Sequence, residues 1–459
     1  MYIGNGVFAM LVRDKSFYKT FLRLCVTLML EQAVILSVNL ADNLMLGSYS
    51  ETALSGVAAV NQIQFVLQQL VYAVSNAMIV LGSQYWGQKR VGEVRRLSSI
   101  GLRAGLLIAL LLFAAVSLFP NAALALFTDS AAIAAEGVKY LSIIRFSYLF
   151  FAATTVMLGT MRIAESVRIA LRVSIVALIV NVSINYLLIA GRLGAPEMGV
   201  RGAAIGTLIA RIVEFVIVAR HLFRKEKSLA MKPRDYLSID RAMLHDFVRV
   251  GTPVIITAGL WGVSNALQTV ILGHLSDSAI AAQSISSTIF LLLKSTSVGA
   301  ASAAAIIIGR AVGAGDMPKI RAYARTLQCL FVGIGLVLGL IMFVIRIPLL
   351  SVYQVSDETR ALANAYMIIQ SVVLFTMSYQ MPVNTGIIRG GGDTRFAMIL
   401  DLVSIWGIVM PVSLLAAFVW RLSPIAVIIC LNADQCFKCV PAFIRANSYK
   451  WIKNLTRSA

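Results

Sequence analysis

Long apolar stretches alternate with short polar ones along almost the whole chain, and each holds about the 20 residues that a helix needs to cross a bilayer. Apolar and polar positions do not alternate inside these stretches, so the pattern favours helices over the strands of a membrane barrel. We therefore predict an all-α integral membrane protein with twelve spans. The predicted spans are 18–47, 52–82, 97–119, 133–160, 168–190, 200–222, 245–273, 278–309, 320–345, 360–387, 395–419 and 423–446.

The first half of the chain is repeated in the second half at an offset of 226 residues, so that Trp86-Gly87-Gln88 aligns with Val312-Gly313-Ala314. Such duplication is typical of transporters that place a pathway between two homologous bundles. Six spans in each copy return the chain to its starting side, which predicts two copies of the same orientation. We predict a first six-helix bundle over 1–222, a cytoplasmic linker over 223–244 and a second six-helix bundle over 245–459.

Charge is distributed unevenly along this pattern. The chain has 40 Lys and Arg against 21 Asp and Glu, a formal net charge of +19. Most of the basic residues lie at the termini or beside the loops that follow even-numbered spans. This positive-inside bias predicts that both termini are cytoplasmic. Because the basic residues lie in short loops beside the membrane without interleaved aromatic residues, we expect the lipid bilayer as a partner and no nucleic acid.

Side chains for covalent or metal chemistry are few. The three histidines lie near span ends, and Cys436-x-x-Cys439 lacks the second pair or the histidine that would complete a metal site. No catalytic triad or phosphate-binding loop occurs in a suitable context. With 59% hydrophobic and 13% charged residues, the chain is predicted not to be an enzyme and to need no cofactor or metal.

Five segments, taken with their order and spacing, resemble the multidrug and toxic compound extrusion (MATE) family over about residues 23–456. In chain order they are Asn39-Leu-Ala-Asp42-Asn-Leu-Met-Leu-Gly47, Asn181-Val-Ser-Ile-Asn185, Gly199-Val-Arg-Gly-Ala-Ala-Ile-Gly-Thr207, Gly386-Ile-Ile-Arg389-Gly-Gly-Gly-Asp393 and Tyr449-Lys-Trp-Ile-Lys-Asn-Leu-Thr456. The resemblance implies a V-shaped pair of six-helix lobes around a central cavity. It also implies a monomer in the bacterial plasma membrane.

The resemblance further implies secondary efflux of drugs or organic, often cationic, compounds by alternating access. The driving force would be the inward flow of a coupling ion, either H+ or Na+. An alternative within the same superfamily is a lipid-linked oligosaccharide flippase, which calls for a basic groove that holds pyrophosphate. Lys294 and Arg145 are the hints of such a groove in this sequence.

Asp42 is the first candidate for ion coupling, because a carboxylate at membrane depth is costly unless it is protonated, paired or bound to an ion. Family members use the acid at this position for coupling. Glu31 lies 11 residues earlier, three helical turns plus about 20°, so both acids share one helix face about 16 Å apart. Glu31 is therefore either a second station for the ion or a hydrated or hydrogen-bonded structural acid.

Asn181 and Asn185 are one turn apart and face the same way. Amides in an apolar span seek partners, and their oxygens can bind a cation or a carboxyl group. One branch of the family forms an ion site from the acid of span 1, an Asn and an Asp of span 5 and a Thr of span 6. Asp42, Asn181 and Thr207 match that pattern, whereas Asn185 replaces the Asp; packing between helices is the alternative role.

The second half departs from the family's sodium-linked branch, whose acids of spans 7 and 10 align here with Trp261 and Ser378. We therefore expect no cation site of that type in the second half. Aromatic and methionine-rich cavities adapt to varied ligands. The candidates for the substrate cavity, which include a lysine deep in span 8, are Trp261, Asn265, Lys294 and Tyr379.

Other polar residues in the spans are predicted to be structural. Asp434 and Lys438 are four residues apart, and Arg211 and Glu214 are three apart, so each pair should form an ion pair on its helix. Asp393 follows a glycine-rich turn and should cap the eleventh span. No role is assigned to Asp401.

Overall fold

The computed structural model describes residues 11–128, 130–237, 240–273, 275, 277–353 and 355–457. Within these ranges the chain is helical and contains no strand, so the predicted all-α class is confirmed. The helices of the first half are α1 Lys15–Tyr49, α2 Glu51–Gly87, α3 Val91–Leu118, α4 Pro120–Ala125, α5 Ala131–Ile144, α6 Ser147–Ile163, α7 Arg168–Leu188 and α8 Val200–Arg224. Short 3-10 turns cover Arg192–Gly194 and Pro233–Leu237.

The second half repeats this order of long helices. They are α9 Arg241–Gly273, α10 Asp277–Ala314, α11 Met317–Val352, α12 Asp357–Met381, α13 Thr394–Leu402, α14 Met410–Leu414, α15 Pro424–Phe437 and α16 Cys439–Ser448. Three π-helical segments, Pro382–Ile388, Val403–Val409 and Leu415–Val419, continue or join these helices. Such segments widen the helix locally, and nothing in the hydrophobic pattern predicted them.

Eleven helices of the described residues are long and apolar enough to cross a membrane, and twelve if the bent pair α5 and α6 is one span. The axes of α5 and α6 differ by 54° at a break of two residues. This pair covers the predicted span 133–160. All twelve predicted spans therefore correspond to helices in the structure.

The chain forms two compact units, each with its own apolar core. The unit that we call unit N comprises Leu30–Gly82 and Lys89–Ile255, and unit C comprises Met1–Met29, Ser83–Gln88 and Ile256–Ala459. The core of unit N includes residues of α1 to α6 and α8, and that of unit C includes residues of α9 to α12, α14 and α15. The predicted bundles 1–222 and 245–459, joined by 223–244, follow the sequence repeat and stay a prediction.

Within unit C, the last turn of α2 packs tightly against the last turns of α10. Gly87 and Gly313, which occupy equivalent positions of the repeat, permit this approach. A Cβ atom on Gly87 would overlap the carbonyl oxygen of Arg310, and one on Gly313 would overlap that of Gln84. Small residues at such contacts let two membrane helices approach closely.

The segment that follows α16, residues 449–457, is held against unit C by buried contacts and main-chain hydrogen bonds. The ring of Trp451 is fully buried, and its Nε1 donates to the carbonyl of Ala446 at 2.8 Å. Gln84 donates from Nε2 to the carbonyl of Lys453 at 3.1 Å and accepts at Oε1 from the amide of Leu455 at 2.7 Å. The segment thereby ties the end of α2 to the later helices.

Candidate ion-coupling site

Asp42 lies on α1, opposite two asparagines that are one turn apart on α7. The Nδ2 group of Asn185 donates to Oδ1 of Asp42 at 2.6 Å and, less closely, to Oδ1 of Asn181 at 3.3 Å. Nδ2 of Asn181 donates in turn to Oγ1 of Thr207 on α8 at 3.1 Å. The structure therefore brings four of the five predicted ion-coupling residues into one hydrogen-bonded chain.

Within this series of hydrogen bonds, burial is greatest at Asn185. Asn185 is fully buried, and its Oδ1 has no hydrogen-bond partner among the described residues. Gly206 of α8 lies against that oxygen, and a Cβ atom there would overlap it. A buried amide oxygen without a donor costs free energy. A cation or a proton donor that approached Oδ1 of Asn185 would therefore be stabilised there.

Glu31, the fifth predicted residue, lies on α1 nearer to its start and forms an ion pair with Arg162 of α6. Oε1 of Glu31 and Nη2 of Arg162 are 2.6 Å apart, and Glu31 is only 3% exposed. Within the described part of the chain, Oε2 of Glu31 and Nε of Arg162 have no hydrogen-bond partner. Sequence reasoning did not predict this pair, because 131 positions separate the two residues.

A cavity of about 60 Å³ separates the ion pair from the amide chain. Its polar lining includes the Glu31–Arg162 pair, the amides of Asn39 and Asn181, the hydroxyl of Thr207 and a second ion pair on α8. That second pair joins Arg211 and Glu214 at 2.7 Å, as their spacing predicted. Asp42 does not itself line the cavity.

The arrangement around Asp42 offers oxygen ligands and a carboxylate in an apolar span. The carboxylate, the Oδ1 atoms of Asn181 and Asn185 and the Thr207 hydroxyl are hard ligands that suit a proton or Na+. A covalent reaction would need a nucleophile with a general base, and these groups do not supply that pair. The predicted role of these residues in ion coupling stays a prediction.

The predicted substrate residues all lie in unit C. Nζ of Lys294 lies 5.2 Å from the centroid of the Trp261 ring, within the range of a cation–π interaction. Asn265 is on the same helix as Trp261, one turn later. The hydroxyl of Tyr379 donates to Oε1 of Gln328 on α11 at 2.9 Å. The structure thus brings Trp261 and Lys294 together and gives Tyr379 a separate partner.

Unit C holds an ionic cluster that the sequence predicted in part. Lys438 is 3% exposed and lies 2.9 Å from Oδ2 of Asp434, which confirms the predicted pair. Oδ1 of Asp401, to which no role was assigned, is 3.0 Å from the same ammonium group. Gln435 donates from Nε2 to Asp434 at 2.7 Å. The two acids clamp Lys438 between α13 and α15.

Asp393 caps α13, as predicted, by accepting at Oδ1 from the amide of Phe396 at 3.5 Å. Its carboxylate also accepts hydrogen bonds from Arg445 and from Nζ of Lys453, the latter at 2.7 Å. Burial disfavours the charged form, but the two cations outweigh it and hold the pKa of Asp393 below its usual range. These contacts were not predicted, because both cations come from far along the chain.

Helices long and apolar enough to cross a membrane, a duplicated order of spans and a carboxylate bonded to buried amides are typical of a membrane transporter. The sequence model of the MatE family matches residues 28–187 and again residues 253–415, once in each half. The chain belongs to the MatE family. Its members are transporters rather than enzymes, and the double match confirms the internal repeat.

Two curated relatives match over almost their full length. The probable multidrug resistance protein NorM of Thermotoga maritima is 26% identical over 453 residues, which cover 96% of this chain and 94% of the relative. The uncharacterized transporter YisQ of Bacillus subtilis is 24% identical and covers 98% of this chain and 99% of its own length. Both are similar to this chain across both copies of the repeat.

Solved structures confirm the fold. The Vibrio cholerae MATE transporter VcmN in its bent form has a TM-score of 0.83 at 18% identity, covering 94% of this chain and 97% of that one. A transporter of the MOP superfamily from Pyrococcus furiosus, described as having a binding pocket of reversed polarity, has a TM-score of 0.85 at 16% identity over all of both chains. The chain therefore has the fold of twelve helices in two homologous bundles that these proteins share.

Proposed function

We propose that the protein is a secondary multidrug exporter that exchanges organic, often cationic, compounds for H+ or Na+ by alternating access. Family membership and the name of the Thermotoga maritima relative support drug efflux. The observation that supports ion coupling is the series of hydrogen bonds from Asp42 through the buried Asn185 and Asn181 to Thr207. We place the protein in the plasma membrane as a monomer, with both termini in the cytoplasm.

In the proposed cycle, the ion binds at Asp42 and changes which groups donate to its carboxylate. A protonated carboxyl group is a hydrogen-bond donor, whereas the carboxylate only accepts. Protonation would therefore let Asp42 donate to the unpartnered Oδ1 of Asn185, which now faces no donor. The new bond moves α1 relative to α7, and this movement favours release of the drug.

The test uses uptake of ethidium into inverted membrane vesicles, with proton and sodium gradients imposed separately. We expect accumulation under one of the two gradients in the wild-type protein and none in Asp42→Asn. The matched control is Asp14→Asn, which removes an exposed carboxylate ahead of α1. Ethidium transport that survives in Asp42→Asn at normal expression would overturn the proposal, and the effective gradient identifies the ion.

A further inference from the structure

The cavity of unit N connects the surroundings of Asp42 with a second carboxylate, that of Glu31. On α1 it is lined by Glu31, Ile35, Val38 and Asn39, a stripe with helical spacing. Asp42 lies three residues beyond Asn39 and continues that stripe. On α7 the lining residues are Ser174, Ala177 and Asn181, again on one face. The cavity is thus elongated along the helices.

Polar groups without partners lie at one end of this cavity and just beyond the other. At one end, Oε2 of Glu31 and Nε of Arg162 are buried, and within the described residues neither has a hydrogen-bond partner. The other end is lined by Asn39, one turn before Asp42, and by Asn181. One turn beyond Asn181, Oδ1 of Asn185 is buried and also has no hydrogen-bond partner among the described residues. Groups of this kind are normally satisfied by internal water. A cavity of about 60 Å³ admits about four to six water molecules.

Resting on the proposed function, we propose that this cavity is a proton pathway inside unit N, in which Glu31 is the second station and a water file joins it to Asp42. The two carboxyl groups are about 16 Å apart along α1, too far for direct transfer. In the first step the proton leaves the Asp42 carboxyl group for a water molecule, which becomes hydronium, and each water of the file then passes one proton to the next. The last water of the file returns its extra proton to Oε2 of Glu31, and Asp42 is left as the carboxylate.

Charged and titratable groups around Glu31 suit this role. Arg162 of α6 and Arg211 of α8 are positive, Glu214 of α8 is negative, and Tyr72 of α2 is a neutral phenol, whereas α7 lines the cavity with uncharged residues. Arg211 and Glu214 neutralise each other, so Arg162 is the cation that balances the negative charge of Glu31. A proton that arrives on Oε2 neutralises Glu31, which weakens the Glu31–Arg162 ion pair and allows Arg162 to form other contacts.

The test measures proton release when a saturating drug is mixed with purified full-length protein in detergent, followed by a pH dye in a stopped-flow instrument. In the wild type we expect release from Asp42 through the cavity. In Glu31→Gln we expect the same amount of release at a rate at least tenfold lower. In Ala177→Leu, which fills the cavity and leaves every charge in place, we expect the same slowing. The control Val176→Leu changes an exposed neighbour and should keep the wild-type rate.

A structural role of the ion pair is distinguished by the double variant Glu31→Gln/Arg162→Gln. This variant removes both charges together, so it avoids the unpaired buried arginine that destabilises Glu31→Gln. If Glu31 acts only by pairing with Arg162, the double variant should recover the wild-type rate. If Glu31 is a proton station, the double variant stays slow although its thermal stability returns.

The outcomes separate the pathway from the transport function. Wild-type rates in Glu31→Gln and Ala177→Leu, with release abolished in Asp42→Asn, would overturn the pathway and leave proton-coupled efflux intact. No drug-dependent release from the wild-type protein would overturn proton coupling and the pathway together. Slow release in both cavity variants, with the wild-type rate in Val176→Leu, supports the pathway.

Discussion

Both units bury ion pairs, but the pairs are satisfied to different degrees. In unit C, Lys438 donates to Asp401 and to Asp434, and a glutamine side chain donates to Asp434 as well. In unit N, Glu31 and Arg162 make one contact and each keeps a buried polar atom without a partner in the described structure. The cavity beside Glu31 has about 60 Å³, whereas the one beside Asp401 has about 10 Å³.

The difference shows how the two copies of a duplicated fold diverge. A fully bonded buried ion cluster has one preferred arrangement and holds helices together. An ion pair with unpartnered polar atoms beside a cavity can exchange hydrogen-bond partners at similar free energy. The proposed proton transfer requires such an exchange. The repeat thus preserves the order of helices in both units, while the buried ion pairs differ in how completely they are hydrogen-bonded.

The largest effect is expected when Lys438 is replaced, because the clamp of unit C depends on it. Lys438→Met leaves the buried carboxylate of Asp434 and the half-buried one of Asp401 without their cation. We expect a loss of about 3–5 kcal/mol of stability. Asp401→Asn keeps the Lys438–Asp434 pair and should lose less, about 1–3 kcal/mol. Thermal unfolding in detergent measures both. An unchanged unfolding temperature in Lys438→Met would contradict a structural role for this cluster.

A smaller change in stability, with a larger one in transport, is expected in unit N for Gly206→Ala. The added methyl group would overlap Oδ1 of Asn185 and displace the amide that donates to Asp42. We expect about 1–3 kcal/mol of lost stability and about tenfold slower ion-driven efflux, equal to ~1.4 kcal/mol in the barrier. Gly92→Ala on α3 is the control, since nothing lies within 4 Å of its added Cβ. Equal efflux in the two variants would show that the Asn185 contact is dispensable.

The smallest effect concerns Asp393, whose lowered pKa makes its ion pairs sensitive to acid. A carboxylate with a lowered pKa stabilises the fold above its unfolded pKa of about 4, and this stability is lost as the pH falls through the folded value. Unfolding temperatures between about pH 3 and 7 should therefore fall at the acid end, with a shallower slope in Asp393→Asn. Glu358→Gln, which removes an exposed carboxylate, should keep the wild-type slope. A wild-type slope in Asp393→Asn would assign the acid sensitivity to other groups.

Hydrophobic pattern and local spacing predicted the spans and the pairs that lie within one helix. Arg211 and Glu214, three residues apart, and Asp434 and Lys438, four apart, pair as helical geometry requires. The resemblance to the MATE family predicted a role for Asp42, and the structure places the amide of Asn185 beside it. Whether these residues bind the coupling ion stays a prediction.

Contacts between distant positions were beyond the sequence, because nothing in local spacing specifies which faces of two helices meet. Glu31 meets Arg162 across 131 positions, and Lys438 meets Asp401 across 37. The π-helical segments were also missed, since they depend on packing around the helix rather than on residue preference. A single sequence therefore indicates which polar residues need partners, but not which partners they find.

The segment 449–457 has a consequence for the synthesis of the protein. Gln84 is made early, yet the carbonyl that its side chain binds belongs to Lys453, 369 positions later. At translation rates of about 5–20 residues per second, this amide waits roughly 20–70 s for its partner. The end of α2 therefore acquires these hydrogen bonds only after most of the chain has been synthesised.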